Sequence, residues 1–243
     1  MLCKRGFMIS MSVVVDNYEF NPDLQTKWGF ACLVASSDGV LLFDTGSNGE
    51  VLLDNMKNLK LDPKKIRKLL ISHDHWDHTG GLKSLLNENA DLEVYVLPSF
   101  SDEIKKIVTQ SGAHLVENGD PKMILPGIHT TGTLGTTIKE QSLVIETNKG
   151  LVIITGCAHP GIIKIIEYVK EHFNKEIYMV FGGFHLMNYS DTELLRIIIQ
   201  LRELGVEKIG PCHCSGDRCR LIFKEEYKDD YIEIGVGKIL EIE

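Results

Sequence analysis

Residues 71–81 read I-S-H-D-H-W-D-H-T-G-G and place His73, His75, Asp77 and His78 within six positions. Three imidazoles and a carboxylate this close sit badly in a hydrophobic core. Each needs its own hydrogen-bond partner, and an unpaired one costs ~1–3 kcal/mol. A divalent ion satisfies all four together, and neutral imidazole with carboxylate suits Zn²⁺, Mn²⁺ or Fe²⁺. On extended backbone side chains alternate, so His73 and His75 point the same way. Asp77 and His78 come where T-G-G begins a new element, so the turning chain can aim them at a second point. Two ligand pairs from one loop predict two neighbouring ions, the arrangement that serves in-line displacement. The competing reading is a solvated, histidine-rich surface loop. The apolar strand immediately before it (Leu69, Leu70, Ile71) argues against that.

H-x-H-x-D-H after a short apolar strand and before T-G-G-L resembles the metal-binding signature of the metallo-β-lactamase superfamily. The resemblance implies an α/β fold, an αββα sandwich of two mixed sheets with helices on both outer faces. The pattern outward from the signature agrees. Apolar runs at 8–15, 30–35 and 40–43 (joined by S-S-D-G), 93–97, 143–146 and 151–155 (joined by T-N-K-G), 177–181 and 207–210 predict strands. Apolar positions at helical spacing predict helices over 51–59, 81–87, 162–169, 101–109 capped by Ser101, and 190–204 with Ser190 and Glu193 as a capping box. Residues 114–131, broken by prolines and glycines, predict short strands and turns. Residues 16–28 form a polar loop able to approach a site opening, and 231–242 is expected to close a sheet edge. Strands precede helices in two similar halves and no composition break marks a linker, so one domain over 1–243 is expected. In that fold the strand ends bearing Asp44, His73, Cys157, His185 and His213 converge on one rim.

With 25% charged and 43% apolar residues among 243, the chain has the balance of a soluble globular protein large enough for a sizeable core. A net charge of −8 argues against non-specific nucleic-acid binding, which needs a basic surface. No apolar run approaches the ~20 residues that span a bilayer. The opening M-L-C-K-R-G-F-M-I has a basic pair followed by apolar residues, but serines interrupt it and no A-x-A site follows, so it reads as the lead into a first strand. A cytoplasmic protein acting on a small molecule, with no membrane or nucleic-acid partner, is the expectation; a homo-oligomer is compatible with it. Cys3 and Cys32 read as inert core thiols, whereas Cys157, Cys212, Cys214 and Cys219 stand near histidines, a metal or thiolate pattern more than a disulfide framework.

Four further constellations stand at strand ends. Asp44, in F-D-T-G, matches an Asp that in the superfamily holds a ligand imidazole from behind; an ordinary turn Asp is the alternative. T-G-C-A-H-P-G (155–161) corresponds in context to a T-G-D turn whose Asp usually bridges two metals. Here Cys157 occupies that slot and His159 follows; either can bind zinc. We favour His159 as ligand, because Pro160 and Gly161 rigidify its turn, and read Cys157 as a support. T-T-G-T-L-G (130–135) departs from the usual G-H-T-x-G turn, with Thr133 where a ligand His is expected; His129 comes before the turn. His159 is the candidate to fill that vacancy. C-H-C-S-G-D (212–217) matches the final ligand histidine, His213; a separate site built from Cys212, Cys214 and Cys219 is the rival. His185, in G-G-F-H-L, corresponds to a proton donor of the superfamily's tRNA-processing ribonucleases, with direct ligation as the alternative.

H-D-H-W-D-H, G-C-A-H-P-G, G-G-F-H-L and C-H-C-S-G together resemble the branch named for dihydropterin–ribofuranosylaminobenzene phosphate synthase. What this implies is one or two divalent ions, zinc first with iron or manganese as alternatives, held by His73, His75 and His159 and by Asp77, His78 and His213. Asp77 and His185 are the expected catalytic residues, and Asp44 and Cys157 the supports. The implied activity is metal-dependent hydrolysis or transfer on a phosphate- or ester-type small molecule. Its specialised form is displacement of pyrophosphate from a pterin-methyl diphosphate by an arylamine. The alternative is a metal- or redox-sensing binding protein that uses the Cys/His rim.

Overall fold

The computed structural model describes residues 8–242; the expectation for Cys3 lies outside the described residues. In chain order it contains β1 (Ile9–Val15), β2 (Ala31–Ser36), β3 (Gly39–Phe43), α1 (Gly49–Asn58), β4 (Lys68–Leu70), α2 (Trp76–Thr79), α3 (Leu82–Glu88), β5 (Glu93–Val96), α4 (Asp102–Ser111) and β6 (His114–Glu117). The second half adds β7 (Lys122–Leu125), β8 (Ile128–Thr130), β9 (Leu143–Thr147), β10 (Gly150–Thr155), α5 (Ile162–Phe173), β11 (Ile177–Gly183), α6 (Asp191–Glu203), β12 (Lys208–Cys212), α7 (Asp217–Tyr227) and β13 (Ile239–Ile242).

Side-chain alternation dictates the layering. Leu41 and Phe43 of β3 enter one apolar cluster and Leu42 another; Val152 and Ile154 of β10 share the first cluster, while Leu151 and Ile153 turn to a third. Strands apolar on both faces must be covered on both. The shared cluster lies between a seven-stranded sheet, β13-β1-β2-β3-β4-β5-β6, and a six-stranded sheet, β12-β11-β10-β9-β8-β7. Leu52 and Met56 of α1, Leu82 and Leu85 of α3 and Val108 of α4 cover the outside of the first sheet. Ile165, Ile166 and Val169 of α5, Leu194 and Ile198 of α6 and Phe223 of α7 cover the second. This is the expected αββα sandwich, and among the described residues no helix is long and apolar enough to cross a membrane.

The topology builds the rim. Strands β3 to β6 pair in parallel, as do β10, β11 and β12, and helices make the crossovers. The carboxyl ends of parallel strands therefore open on one edge of each sheet, the usual place for a site in such folds. Both predicted hairpins are present, with Ser36 paired to Gly39 and Thr147 to Gly150. Ser101 caps α4, and Ser190 with Glu193 forms the capping box of α6. β13 pairs antiparallel with β1, as expected of the tail. Two helices have no counterpart among the sequence-based expectations: α2, a single turn within the histidine loop, and α7, which buries Cys219, Ile222, Phe223 and Tyr227, a helical spacing hidden by its surrounding charges.

Candidate metal centre

After β4 the chain bends at His73 and Asp74 rather than running extended as expected, the His75 N–H donating to the His73 carbonyl at 3.0 Å, and His75 itself has extended backbone where α2 begins. The turn is tight because Gly80 and Gly81 press against the loop that follows β3. A Cβ on Gly80 would come 2.3 Å from the Ser47 carbonyl oxygen, and one on Gly81 2.3 Å from that of Thr45. Only glycine permits that approach.

Asp44 organises the loop from beneath. It is fully buried, with its backbone in the left-handed region (φ 59°). Its Oδ1 accepts the Ser72 N–H at 2.7 Å, and its Oδ2 accepts the Ser72 hydroxyl at 2.7 Å and faces His78 Nδ1 at 2.7 Å. A carboxylate only accepts, so the proton sits on His78 Nδ1 and leaves Nε2 free to ligate. The Ser72 hydroxyl, spent as a donor to Asp44, accepts from His73 Nδ1 at 2.9 Å. One carboxylate thus sets the tautomers of two histidines.

The opposite sheet, with the loop between β1 and β2, supplies the rest. Glu140, 1% exposed, accepts the N–H groups of Cys157 (2.9 Å) and Ala158 (2.8 Å) on Oε1 and that of His159 (2.9 Å) on Oε2. It holds the turn after β10 as a fixed cradle. His159 then lies among the loop histidines, with ring centroids 4.8 Å from His73, 5.0 Å from His75 and 4.5 Å from His185. His213 is held by Asn17, whose Oδ1 lies 3.0 Å from its Nδ1, and Trp28 donates its indole N–H to Asp77 Oδ2 at 2.9 Å. Asp44, Ala158, His185 and His213 all have positive φ, between 49° and 59°. Non-glycine residues in that region cost ~1–3 kcal/mol each and gather at sites where the surroundings enforce them.

Donor atoms converge in three groups, each within 4.8 Å: His73, His75 and His159; Asp77, His78, Cys157 and His213; and Cys157, His185 and Cys214. The structure therefore brings His73, His75 and His159 together, and Asp77, His78 and His213 together. Cys157, expected beside the ligands, lies inside the second group instead, its thiol 3.3 Å from His78 Nε2. Expected as one cluster, the cysteines near the histidines are dispersed. Cys212 packs between the sheets and Cys219 under α7, while Cys214 reaches Cys157 and His185. His129 pairs with Glu146 at 2.9 Å, away from the centre.

The donor set fits a divalent metal. His159 Nε2 and His213 Nε2 are buried without a hydrogen bond, one in each of the first two groups. His213 Nε2 does approach Asp77 Oδ2 to 3.3 Å, but without hydrogen-bond geometry. Burial, with His78 and His159 nearby, pushes His73 well below the usual histidine range. Burial, with His185 and His75, lowers His159 to about 4. Both rings are neutral, as ligands must be. Burial alone would raise Asp77, but His213 and His78 hold it below the usual carboxylate range. His78 moves the other way, since Asp44 outweighs burial and lifts it to about 9; a metal ion would replace that proton on Nε2. Contact with Cys214 raises His185.

Glu140, Ser72, Asn17 and Trp28 complete the centre beyond the residues foreseen from sequence, and Cys214, expected only as part of the cysteine pattern, joins them. Asn17 and Trp28 belong to the polar loop expected near the opening. Glu140 lies in an ordinary K-E-Q-S run, and nothing local signals its burial.

A family described as the metallo-beta-lactamase superfamily matches residues 29–213. The chain is 30% identical to the 7,8-dihydropterin-6-methyl-4-(beta-D-ribofuranosyl)-aminobenzene-5'-phosphate synthase of Methanocaldococcus jannaschii, covering 96% of each protein. It is 27% identical to an uncharacterised protein of the same organism, over 96% of this chain and all (100%) of that one. A solved structure, that of Tm1679, described as a metal-dependent hydrolase of the beta-lactamase superfamily, superposes with a TM-score of 0.80 at 31% identity, covering 96% of this chain and 99% of that one.

Proposed function

The chain belongs to the metallo-beta-lactamase superfamily, and from that premise we propose that it hydrolyses, or transfers a group from, a phosphate- or ester-type small molecule at a centre for two divalent ions. That it is a metal-dependent enzyme follows from the family and from the named synthase among its relatives. The observation that carries the finer reading is the pair of adjoining donor groups, three histidines in one and Asp77, His78, Cys157 and His213 in the other. Nitrogen, oxygen and sulfur donors together favour zinc, with iron next and manganese last.

When bound, such ions supply Lewis-acid polarisation of a phosphoryl or acyl oxygen and make water a better nucleophile at neutral pH. The chain's own residues do the rest. Asp77, ionised and fixed by the Trp28 indole, accepts a proton from the attacking group. His185 stands exposed on the rim, its ring 4.5 Å from that of His159. Contact with Cys214 favours its protonated form, so it delivers a proton to the leaving group. Free thiols at the centre fit a reducing, cytoplasmic setting.

A second reading has its own support in the synthase relative, 30% identical across 96% of the chain. In it an arylamine nitrogen attacks the methylene carbon of a pterin-methyl diphosphate. The C–N bond forms as the C–O bond breaks, pyrophosphate leaves with the electron pair, and the amine proton passes to Asp77 or His185. Metal analysis with a panel of phosphodiesters, phosphomonoesters and lactones separates the two. Turnover of an ester class supports hydrolysis. Metal-loaded protein inert to every ester yet consuming pterin diphosphate with arylamine supports transfer. Protein that retains no metal and turns over neither overturns both.

A further inference from the structure

Beside the metal centre a groove of about 440 Å³ runs between the 134–138 loop and the start of α5, with His159 at one end. Its volume is that of a small-molecule site. Leu134, Ile138, Ile165 and the ring of Tyr168 give it apolar walls. The Tyr168 hydroxyl is directed away to the Thr131 carbonyl. Lys164 is its one charged side chain among the described residues, and Lys164 with His159 also lines an adjoining cavity of about 300 Å³ that reaches His185. Among the described residues no carboxylate lines either cavity, and the first turn of α5 has no acidic residue to pair with Lys164. That arrangement stands out in a chain of net charge −8. A lone ammonium at the seam of two apolar cavities favours an occupant with an apolar, preferably aromatic, body and an anionic end.

We propose that this groove binds an anionic arm of the substrate, a phosphate, sulfonate or carboxylate on an aromatic body, and that Lys164 recognises the anion. The proposal rests on the reading of the centre as the reacting site: the scissile group would lie at the His159 end while Lys164 anchors the far charge. Lys164 belongs to none of the three donor groups, so it acts on affinity and selectivity rather than on the metal.

The test uses a probe whose anion ligates metals poorly. Naphthalenesulfonate and its neutral counterpart naphthol are titrated calorimetrically into the metal-loaded protein and into Lys164→Met, Lys164→Arg and His159→Ala, with metal content measured on every sample. Naphthalenesulfonate should bind more tightly than naphthol. Lys164→Met should weaken it by about five- to tenfold, as expected for one charge-assisted contact near the surface, and Lys164→Arg should restore most of the loss. Lys164 is exposed, so these variants should keep their fold and their metal. Equal binding of the two probes, no measurable binding of either, or binding unchanged in Lys164→Met overturns the proposal. Loss only in His159→Ala overturns it too, because the anion would then sit on the metal group. Lys164-dependent binding in protein that holds no metal would uphold the groove while sinking the proposed enzyme, so the two failures read differently.

Discussion

Replacing Glu140 by Gln should loosen both donor groups at once. The carboxylate accepts three backbone N–H groups from consecutive residues 157–159, and that turn delivers Cys157 to one group and His159 to the other. Gln keeps one acceptor oxygen, enough for the bonds from Cys157 and Ala158, but sets an NH₂ against the N–H of His159. One charge-assisted bond is lost outright, at ~1.5–3 kcal/mol, and the two that remain become neutral and weaker. Burial already pushes the Glu140 carboxyl upward, against the three N–H groups that favour its ionised form, so removing the charge recovers part of the loss. The expected net is a destabilisation of about 2–4 kcal/mol. Against a domain stability of ~5–15 kcal/mol this leaves a folded protein. Glu140→Ala, which orphans all three N–H groups, is less informative because it approaches unfolding. Urea titrations of metal-free protein give the stability change from midpoint and slope, and elemental analysis gives ions per chain. Glu140→Gln should lose metal from both groups. Stability within about 0.5 kcal/mol of the parent, with a full complement of metal, would refute the cradle.

Asp44→Asn should lower metal retention at least tenfold, since second-layer partners of ligand histidines carry ~10–100-fold in affinity; elemental analysis after dialysis against a weak chelator checks it, and full retention would contradict the tautomer argument. Asp16 is fully buried, and burial, partly offset by Cys212, pushes its carboxyl up to about 6. The folded state then binds the proton more tightly than the unfolded chain, so stability falls as pH rises from about 4 to about 6, by ~3 kcal/mol in the limit. Asp16→Asn should match the parent below pH ~4 and exceed it by about 1–3 kcal/mol at neutrality; equal stability of the two at pH 7 would sink this. Stripping metal with a chelator should lower the melting temperature, and restoring zinc should raise it with the logarithm of free zinc, as linkage requires; a melting temperature indifferent to metal would count against both donor groups.

The parts of this protein legible from sequence are those whose cause is local. His73, His75, Asp77 and His78 fall within one turn, and Ser190 and Glu193 cap a helix three residues apart, so spacing alone reveals them. Alternation exposes the strands, and both hairpin turns announce themselves with Gly39 and Gly150. Elsewhere the cause lies across the molecule. Glu140 is significant only because the 157–159 turn folds over it. Cys157 stands at ligand distance from residues of the other sheet, and it meets Cys214 across Gly183 of β11 only because that position lacks a side chain: a Cβ there would stand 2.7 Å from Cys214 Sγ and 3.2 Å from the Cys157 Cα. Cys219 reads as a rim residue until α7 turns it into the core. The helical spacing of Cys219, Ile222, Phe223 and Tyr227 was available, but the lysines, arginines and glutamates between them mask it.

The pairing of β1 with β13 has a consequence for how the protein is made. Ile9 is partnered by Ile242 and Ser12 by Ile239, so the outer edge of β1 waits until all the strands between β1 and β13 have been made. At synthesis rates of ~5–20 residues per second that wait lasts on the order of ten seconds or more. Throughout it β1 offers an unpaired, largely apolar ribbon to any passing strand. A nascent chain stalled shortly before residue 239 would carry every metal ligand proposed here and still be prone to aggregate. Loss of yield from such truncations would therefore report on an open sheet edge, with the chemistry of the rim left untouched.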